Sequence, residues 1–451
     1  MNVARAFDIR RKEVVAFVGG GGKTTAMFCL ADELVAQGKR VITTTTTRIF
    51  AAQIQLAPKH VAVESREQAL GDARSALGET PHVLVIGATK QEGKAFGVEP
   101  RLVDELGALE QVDVVLVEAD GSRMRSFKAP AEHEPVIPHS TTLLVPVVGI
   151  DAVGKILSDE YVHRAELVSQ IADIPLGTIL QSEHIARVLG ERRGGLKNRP
   201  RTARVIPLIN KVENAEQLAH ARNIAASLLQ NDEIESVAMG AVKNRRAPIS
   251  MLESRVTAVV LAAGGSTRMR GAVKQLLPWG DTTFVGNAVR VAKNSRVREI
   301  VVVTGHQAEQ VKKEIRKLGE IKVAHNPDWA TGRASSVRLG IQNTSANSGA
   351  AIFINADQPF LAPQVIDAVI EKFFETRAPM VVPMFDGKTG SPVLFARELF
   401  WELNALQGEQ GGRDVLQKYR EVLARVDIAD ARAALDLDTP EEYDTAKRMM
   451  R

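Results

Sequence analysis

The chain has 451 residues, which is too long for one ordinary domain and indicates two or three. Lysine and arginine exceed aspartate and glutamate by only four and aromatic residues make up 4%, so we expect no nucleic-acid partner. The single cysteine, Cys29, excludes an intrachain disulfide and a multi-cysteine zinc site, and without an apolar stretch of roughly 18 residues we expect a cytoplasmic protein with no membrane partner.

The first predicted element is an apolar strand, residues 14–18, that runs into a glycine-rich loop. Helical apolar spacing follows over residues 26–36, so the pattern favours a P-loop over a glycine-rich linker, which is the alternative. In a P-loop, glycine N–H groups bind phosphate oxygens, the lysine reaches the β- and γ-phosphates and the next hydroxyl binds Mg²⁺. The spacing departs from the usual motif because Phe17 stands where its first glycine belongs. The predicted residues for binding a nucleoside triphosphate (NTP) are Gly19, Gly20, Gly21, Gly22, Lys23, Thr24 and Thr25.

Short β-rich runs alternate with helical patterns along the whole chain. Such alternation predicts parallel sheets with helices on both faces, and ligands then gather at the carboxyl ends of the strands. Residues 155–230 look mainly helical, and the charged segment 243–255, which contains Pro248, reads as a linker between domains 1–250 and 255–451. The predicted strands are 14–18, 41–44, 82–86, 112–117 and 142–148 in the first half, then 257–262, 300–304, 351–355 and 380–383.

An acid follows the apolar run 112–117, as a P-loop requires. Glu118 or Asp120 would hold the Mg²⁺ that Thr24 also binds. Downstream, Arg123 and Lys128 could bind an anionic substrate or be solvated cations.

Two histidines lie in the same stretch. His133 and His139 could be metal ligands, but they lack matched ligand spacing, so we interpret them as hydrogen-bonding or loop-structural residues.

A second, different phosphate loop follows the strand 257–262. Gly264 and Gly265 allow close approach of backbone N–H groups to phosphate, and Arg268 and Lys274 follow as cations that can neutralise a triphosphate. The predicted nucleotide-binding residues of this loop are Leu261, Ala262, Ala263, Gly264, Gly265, Ser266 and Lys274.

Transfer of a nucleotidyl group to a phosphate needs a metal, because the attacking group is itself an anion. Asp357 follows an apolar run and is the predicted Mg²⁺ ligand and catalytic residue beside Arg268 and Lys274; an Asx cap is the alternative. Asp438 is the preferred second carboxylate and Asp436 the runner-up. An N-cap role for Asp438 or Thr439, with Pro440 at the first helical position, is the other interpretation, and both roles can coexist.

The first half of the chain resembles the YqeC family over roughly residues 5–215. The likeness rests on V-G-G-G-G-K-T-T, T-T-T-T-R-I-F, V-E-A-D-G-S-R, K-A-P-A-E-H-E-P-V-I-P and V-V-G-I-D-A-V-G-K. That family is associated with the maturation of selenium-dependent molybdenum hydroxylases. The resemblance implies NTP binding and a hydroxylase apoenzyme as a client, and it names no reaction.

The second half resembles the MobA-like nucleotidyltransferases. It carries L-A-A-G-x-S-x-R-M followed by Lys, then G-x-P-x-L-F and D-x-D-T-P-E, with Glu409 and Glu442 where the family has aspartate and Arg270 inserted before Gly271. The resemblance implies Mg²⁺-dependent transfer of a nucleoside monophosphate to molybdopterin, and L-A-A-G rather than L-A-G-G implies CTP as the donor. The acceptor-binding residues that it implies are Asn326, Trp329, Gly332, Ser335, Ser336, Gly390 and Pro392.

Together these features predict an α/β protein with an N-terminal P-loop NTPase-like parallel sheet, a helical extension, and a C-terminal Rossmann-like nucleotidyltransferase domain of the nucleotide-diphospho-sugar transferase type. The expected activity is that of a molybdenum cofactor cytidylyltransferase, which converts CTP and a molybdopterin-type cofactor into a cytosine dinucleotide cofactor and pyrophosphate. Two alternatives are transfer to a sugar phosphate and an NTP-gated cofactor-insertion chaperone without turnover.

Overall fold

The structure is a computed structural model that describes residues 1–47, 49–87, 94–266, 268, 269 and 271–449, without the side chains of residues 49–53, 94, 95 and 413. Arg48 and Arg270, which belong to the motifs above, lie outside the described residues. The chain divides into two compact units, Met1–Glu253 and Ser254–Arg451. None of the helices in the described part of the chain combines the length and the apolar character that a bilayer crossing requires.

A parallel sheet forms the centre of the first unit. Its middle strands are buried along nearly their whole length, because helices pack on both faces. In spatial order the strands are Lys59–Val63, His82–Gly87, Val41–Thr45, Val114–Glu118, Glu13–Gly19, Leu143–Gly149, Leu208–Asn210 and Ser236–Gly240, and Arg204–Val205 also pairs with Leu143–Gly149. The helices are Val3–Ala6, Lys23–Ala36, Arg66–Glu79, Pro100–Ala108, Ala165–Ala172, Ser182–Gly190 and Ala215–Leu228.

The predicted strands of this half are all present, and the main error concerns residues 155–230. Three helices do occur there, but Leu208–Asn210 belongs to the central sheet and not to a helical extension. A strand of three residues is too short to show a period of two, so the sequence pattern could not separate it from its surroundings.

The second unit contains a mixed sheet. Its strands are parallel to their neighbours except Val393–Ala396, which runs antiparallel to the strands on both sides, and the short strand Lys388–Thr389, which pairs antiparallel with Met380–Phe385. In spatial order they are Lys322–His325, Glu299–Thr304, Ile249–Ala262, Ser348–Asn355, Val393–Ala396, Met380–Phe385 and Ala424–Asp427. The helices are Phe284–Lys293, Ala308–Arg316, Arg333–Gln342, Pro363–Thr376, Phe400–Ala405, Gly412–Lys418 and Pro440–Met449.

Helices cover both faces of this second sheet as well. Val259 and Val260, which are adjacent along one strand, pack into two different apolar clusters, one on each face. Residues 249–255 of the predicted linker lie in the same strand, and Glu253, Ser254 and Arg255 are buried. The boundary between the two units, at Glu253 and Ser254, falls within the predicted segment 243–255, although part of that segment is buried strand. Separate functions for 1–250 and 255–451 remain a prediction.

The first glycine loop packs tightly against the neighbouring backbone. Gly21 has a φ of +75°, and a Cβ atom added there would lie 2.1 Å from the backbone nitrogen of Gly149. Only glycine fits, because a side chain would be both strained and in collision with main-chain atoms.

We expect Gly21→Ala to lower the free energy of unfolding of the first unit by about 2 to 5 kcal/mol. Alanine is strained at a left-handed φ, and its Cβ atom would displace the neighbouring backbone. The matched control is Gly71→Ala in the helix Arg66–Glu79, where an added Cβ meets nothing within 4 Å, and this change should stabilise slightly. Urea unfolding followed by circular dichroism measures both, and equal stability of the two variants would contradict this account of the loop.

Candidate functional site

A cavity of about 690 Å³ opens at the carboxyl ends of the strands Ile249–Ala262 and Ser348–Asn355. Sheets of this kind bind their ligands at this edge. The lining residues are Leu261, Ala263, Gly264, Gly265, Ser266, Arg268, Met269, Lys274, Gln275, Trp329, Ala330, Gly332, Arg333, Ser336, Asn355, Ala356, Asp357, Glu409, Asp436 and Asp438. The second phosphate loop and the predicted carboxylates therefore share one cavity.

Two side chains fix the shape of this second loop. The Ser266 hydroxyl accepts a hydrogen bond from the Lys274 backbone N–H at 2.9 Å and donates to the Gln275 side-chain carbonyl at 3.2 Å. The Gln275 amide nitrogen in turn donates to the carbonyl of Gly264 at 2.8 Å. Ser266 is thus a residue that shapes the loop, and Gln275 is a member of the site that the sequence analysis missed.

Trp329 forms a wall of the cavity. A Cβ atom added to Gly265 would lie 2.8 Å from Cζ3 of the indole, so this glycine is required by the close approach of the ring. The other contact of the ring is His306, with ring centroids 5.2 Å apart. Trp329 therefore holds the loop in place as well as facing the cavity.

Lys274 lies between two carboxylates inside the cavity. Its Nζ is 2.6 Å from Oδ2 of Asp357 and 2.7 Å from Oδ1 of Asp438, and Nη1 of Arg268 is 2.8 Å from the other Asp438 oxygen. Burial raises the pKa of Asp438, but the hydrogen bonds and charges of Lys274 and Arg268 hold the pKa below its ordinary value. The structure thus brings together the three predicted catalytic residues and the preferred second carboxylate.

One carboxylate oxygen at this cluster has no partner. Oδ1 of Asp357 is buried and accepts no hydrogen bond, which is costly unless a cation or a bound group satisfies it. Burial, followed by repulsion from Asp357, raises the pKa of the adjacent Asp436 to about 6. Within the described residues no group of three or more histidine, cysteine, aspartate or glutamate side chains is placed to hold a metal ion. The oxygens that could face a cation here belong to two carboxylates, Asp357 and Asp438, which are ligands of the type that Mg²⁺ prefers, and Lys274 is their present counter-charge.

Asp438 and Thr439 are the two candidates for the N-cap of the last helix, and the structure distinguishes between them. The Thr439 hydroxyl accepts a hydrogen bond from the Glu442 N–H at 3.2 Å, and a Glu442 carboxylate oxygen accepts from the N–H groups of Asp438 and Thr439. These bonds form a capping box for the helix Pro440–Met449. Thr439 is the cap, and the Asp438 side chain is left to bind Lys274 and Arg268.

The predicted acceptor-binding residues separate into two groups. Trp329, Gly332 and Ser336 line the cavity, whereas Asn326 is buried and donates to the hydroxyls of Ser335 and Ser336 at 2.9 Å each. Ser335 also donates to the carbonyl of Gly332, so Asn326 and Ser335 build the turn before the helix Arg333–Gln342. In this structure their polar groups satisfy one another, and their contact with the acceptor stays a prediction.

Three further residues lie outside the cavity lining. Ala262 is buried in the core, a Cβ on Gly390 would lie 2.7 Å from the Phe385 ring, and Pro392 is likewise absent from the lining. In their place the structure supplies Arg333, whose Nη2 donates to the side-chain carbonyl of Asn355 at 2.9 Å. The sequence signal for Arg333 was its position at the start of a helix that follows Gly332.

The first unit also buries a lysine between acids. Nζ of Lys23 is 3.2 Å from Asp120 and 3.7 Å from Glu118, and it donates to the Gly19 carbonyl at 2.6 Å. The Thr24 hydroxyl donates to Glu118 at 2.7 Å. Burial lowers the pKa of Lys23, but Asp120 and then Glu118 raise it overall, so the ammonium stays charged. The predicted lysine, threonine and both candidate acids are adjacent.

The glycine N–H groups of this loop do not match the prediction. Gly19 N–H donates to both Asp120 carboxylate oxygens, Gly20 N–H to the Val147 carbonyl at 2.9 Å, and Gly21 N–H to the Arg125 carbonyl at 3.1 Å. These three donors are satisfied within the protein, because the loop packs directly against neighbouring main chain. The proposed phosphate contacts of Gly19, Gly20 and Gly21 are thus not supported, which leaves Gly22 and the first turn of the helix Lys23–Ala36.

A chain of buried charges extends from this loop. Nζ of Lys128 lies 2.9 Å from Asp120 and 2.7 Å from Glu134, and Arg164 donates to the same Glu134 oxygen at 2.6 Å. Lys128 is buried and paired with acids, so its predicted role as a solvated cation is wrong, and a role as a substrate ligand stays a prediction. Burial raises the pKa of Glu134, but the hydrogen bonds and charges of Arg164 and Lys128 lower it to about 2.

The remaining candidate residues of the first unit, His133, His139 and Cys29, take no part in the cluster around Lys23. His133 and His139 are exposed, and Cys29 is buried, where burial and then Glu33 raise the pKa of its thiol to about 11. A reactive thiolate would need the opposite shift, so Cys29 is a packing residue.

Comparison with known proteins gives two matches, one for each unit. The YqeC protein family model matches residues 15–166, and YqeC of Escherichia coli K12 is 33% identical over 240 residues, which cover 53% of this chain and 91% of that protein. The chain belongs to the YqeC family.

The second unit of this YqeC-family protein matches the MobA-like NTP transferase domain over residues 258–422. The molybdenum cofactor cytidylyltransferase of Escherichia coli K12 is 28% identical over 200 residues, which cover 43% of this chain and 96% of that enzyme. The crystal structure of Rv0371c from Mycobacterium tuberculosis is 27% identical, with a TM-score of 0.39, and covers 43% of this chain and 98% of that one. The chain is thus a fusion of a YqeC part with a nucleotidyltransferase.

We expect Glu134→Gln to destabilise the first unit by about 3 kcal/mol at pH 7, since its pKa falls from 4.5 to about 2 on folding. A carboxyl with a lowered pKa stabilises the fold above its unfolded pKa, and this contribution is lost as pH falls from 4.5 toward 2. The deficit of the variant should therefore shrink between pH 5 and pH 3 in urea unfolding. Glu132→Gln, at an exposed neighbour, is the control. A deficit that does not change with pH would refute the role of this charge.

Proposed function

We propose that the second unit transfers the cytidylyl group of CTP to the terminal phosphate of a molybdopterin-type cofactor and releases pyrophosphate. The observation that carries the proposal is the cluster of Lys274, Arg268, Asp357 and Asp438 beside a glycine loop in one open cavity. One relative that aligns with this unit along nearly its whole length is a molybdenum cofactor cytidylyltransferase.

The chemistry demands neutralisation of charge. An oxygen of the acceptor phosphate attacks the α-phosphorus of CTP, and the bond from that phosphorus to the pyrophosphate oxygen breaks. Both reactants are anions, so the cations of the cavity must offset their repulsion. Lys274 and Arg268 are positioned for this, since each is bound to a carboxylate that it can exchange for a phosphate oxygen. The protein contributes positioning and electrostatics and no covalent intermediate.

Asp357 and Asp438 would hold Mg²⁺, because Oδ1 of Asp357 is buried and accepts no hydrogen bond. The bound ion supplies a positive charge between the reacting phosphates. Arg333, anchored to Asn355, and Trp329 line the cavity and would orient the anionic acceptor.

For the first unit we propose binding of an NTP at Lys23, with Thr24 and Glu118 as the Mg²⁺ pair, in service of a molybdenum hydroxylase client. The hydrogen bond between Thr24 and Glu118 supports Glu118 over Asp120 as the metal carboxylate. Asp120 binds Gly19, Lys23 and Lys128, whereas Glu118 binds the Thr24 hydroxyl that would share the ion.

We expect CTP to be used with a higher kcat/KM than GTP, because Ala263 lines the cavity where guanylyl enzymes of the MobA-like type carry glycine. The measurement is pyrophosphate release with Mg²⁺ and molybdopterin for each of the four NTPs. A glucosamine-1-phosphate arm tests sugar-phosphate transfer. A higher kcat/KM for GTP, or for the sugar phosphate, would reverse the assignment.

We expect Asp357→Asn to lower kcat/KM by roughly 100-fold or more, since a lost metal ligand removes several kcal/mol of transition-state stabilisation. Asp444→Asn, on the exposed face of the last helix, is the matched control and should leave turnover unchanged. Normal turnover by Asp357→Asn would place the metal elsewhere. Loss in both variants would show a general effect of the substitution.

A further inference from the structure

A second open cavity, of about 520 Å³, lies in the first unit. We call it the basic cavity, because three arginines, Arg123, Arg125 and Arg164, line it together with His163 and two acids, Asp159 and Glu166. Two short parallel strands, Phe127–Lys128 and Val162–His163, pair with each other and bring the two arginine-bearing segments together. The cavity is thus built by tertiary pairing of distant segments and is not a run of surface charges.

The charges of the basic cavity are unbalanced. Asp159 accepts a hydrogen bond from the Ala165 N–H at 3.1 Å, so it caps the helix Ala165–Ala172. In the part of the chain that the structure describes, neither Arg123 nor Arg125 forms an ion pair with a carboxylate. Among the described residues, the Arg123 and Arg125 guanidinium groups are thus not neutralised by a carboxylate ion pair.

His163 is a neutral member of the lining. Burial first, and then the positive charges of Arg164, Lys128 and Arg123, lower the pKa of His163 to about 4, while Glu134 acts in the opposite direction. The ring is neutral at pH 7 and can donate one N–H without adding charge. The backbone supports a built site, since Arg123 and Met124 both adopt left-handed φ values, of +46° and +63°.

We propose that the basic cavity binds the phosphate group of a small phosphate monoester. Guanidinium groups form forked hydrogen bonds that match phosphate oxygens, and three of them converge on this cavity. The volume is that of a small-molecule site, and Val162 and Leu167 offer apolar surface for the organic part of the ligand. This inference does not depend on the transferase activity proposed for the second unit.

The cavity is connected to the first glycine loop in two ways. The carbonyl of Arg125 accepts the Gly21 N–H, and Arg164 begins the ion chain that continues through Glu134, Lys128 and Asp120 to Lys23. A phosphate compound bound here would therefore be either a second substrate beside the ligand of the glycine loop or an effector that changes how the loop binds its ligand.

Titration calorimetry of the full-length chain with inorganic phosphate tests the proposal. Arg123→Gln/Arg125→Gln should bind phosphate at least tenfold more weakly than wild type. The control is Arg74→Gln/Arg101→Gln, which makes the same charge change at exposed helical positions of the same unit and should bind like wild type. Thermal unfolding checks that both variants remain folded, as expected for exposed side chains.

Two further arms identify the site and the ligand class. Lys274→Ala removes a cation of the second unit's cavity, and the phosphate binding assigned here should persist in that variant. Succinate in place of phosphate should bind more weakly. The proposal is overturned if the Arg123/Arg125 variant binds like its control, if Lys274→Ala abolishes all phosphate binding, or if succinate binds more tightly than phosphate.

Discussion

Each unit depends on a lysine buried between two carboxylates at the carboxyl ends of parallel strands. The Lys23 and Lys274 side chains are only 3% and 9% exposed, and each lies within 4 Å of two acids. A buried ammonium costs several kcal/mol unless it is paired, and so does a buried carboxylate. The lysine and its acids therefore require one another, and the phosphate of a nucleotide can replace an acid as partner without burying a new net charge.

The two lysine clusters differ in how fully their carboxylate oxygens are bonded within the protein. Asp357 keeps a buried oxygen without a hydrogen bond, and its cluster faces a cavity of about 690 Å³. Asp120, by contrast, is surrounded by the Gly19 N–H, Lys23 and Lys128. The second cluster thus presents a buried carboxylate oxygen to an open cavity, whereas the glycine N–H groups of the first are already bonded within the protein.

The sequence predicted what depends on local pattern. Buried strands appear as apolar runs, and the loops that follow them carry glycine, lysine and acid, so both sites were placed at the correct strand ends. The errors concern pairings made across the fold. Whether Asn326 faces a ligand depends on two serine hydroxyls nearby, and whether Gly20 can donate to phosphate depends on Val147. The antiparallel strand Val393–Ala396 likewise has no local signature, because direction within a sheet is set by the connection and not by composition.

The ion chain of the first unit shows how a charge far from the loop can matter to it. Arg164, Glu134, Lys128, Asp120 and Lys23 alternate in sign, and each inner member bridges its two neighbours. An anion bound by Arg164 would compete with Glu134 for the guanidinium group. The ion pair between Arg164 and Glu134 would then be weaker. Glu134 would then bind Lys128 more strongly and draw it from Asp120, which accepts the Gly19 N–H. By this route an anion in the basic cavity would act on the conformation of the loop through one set of buried charges, because each inner member of the chain contacts two neighbours.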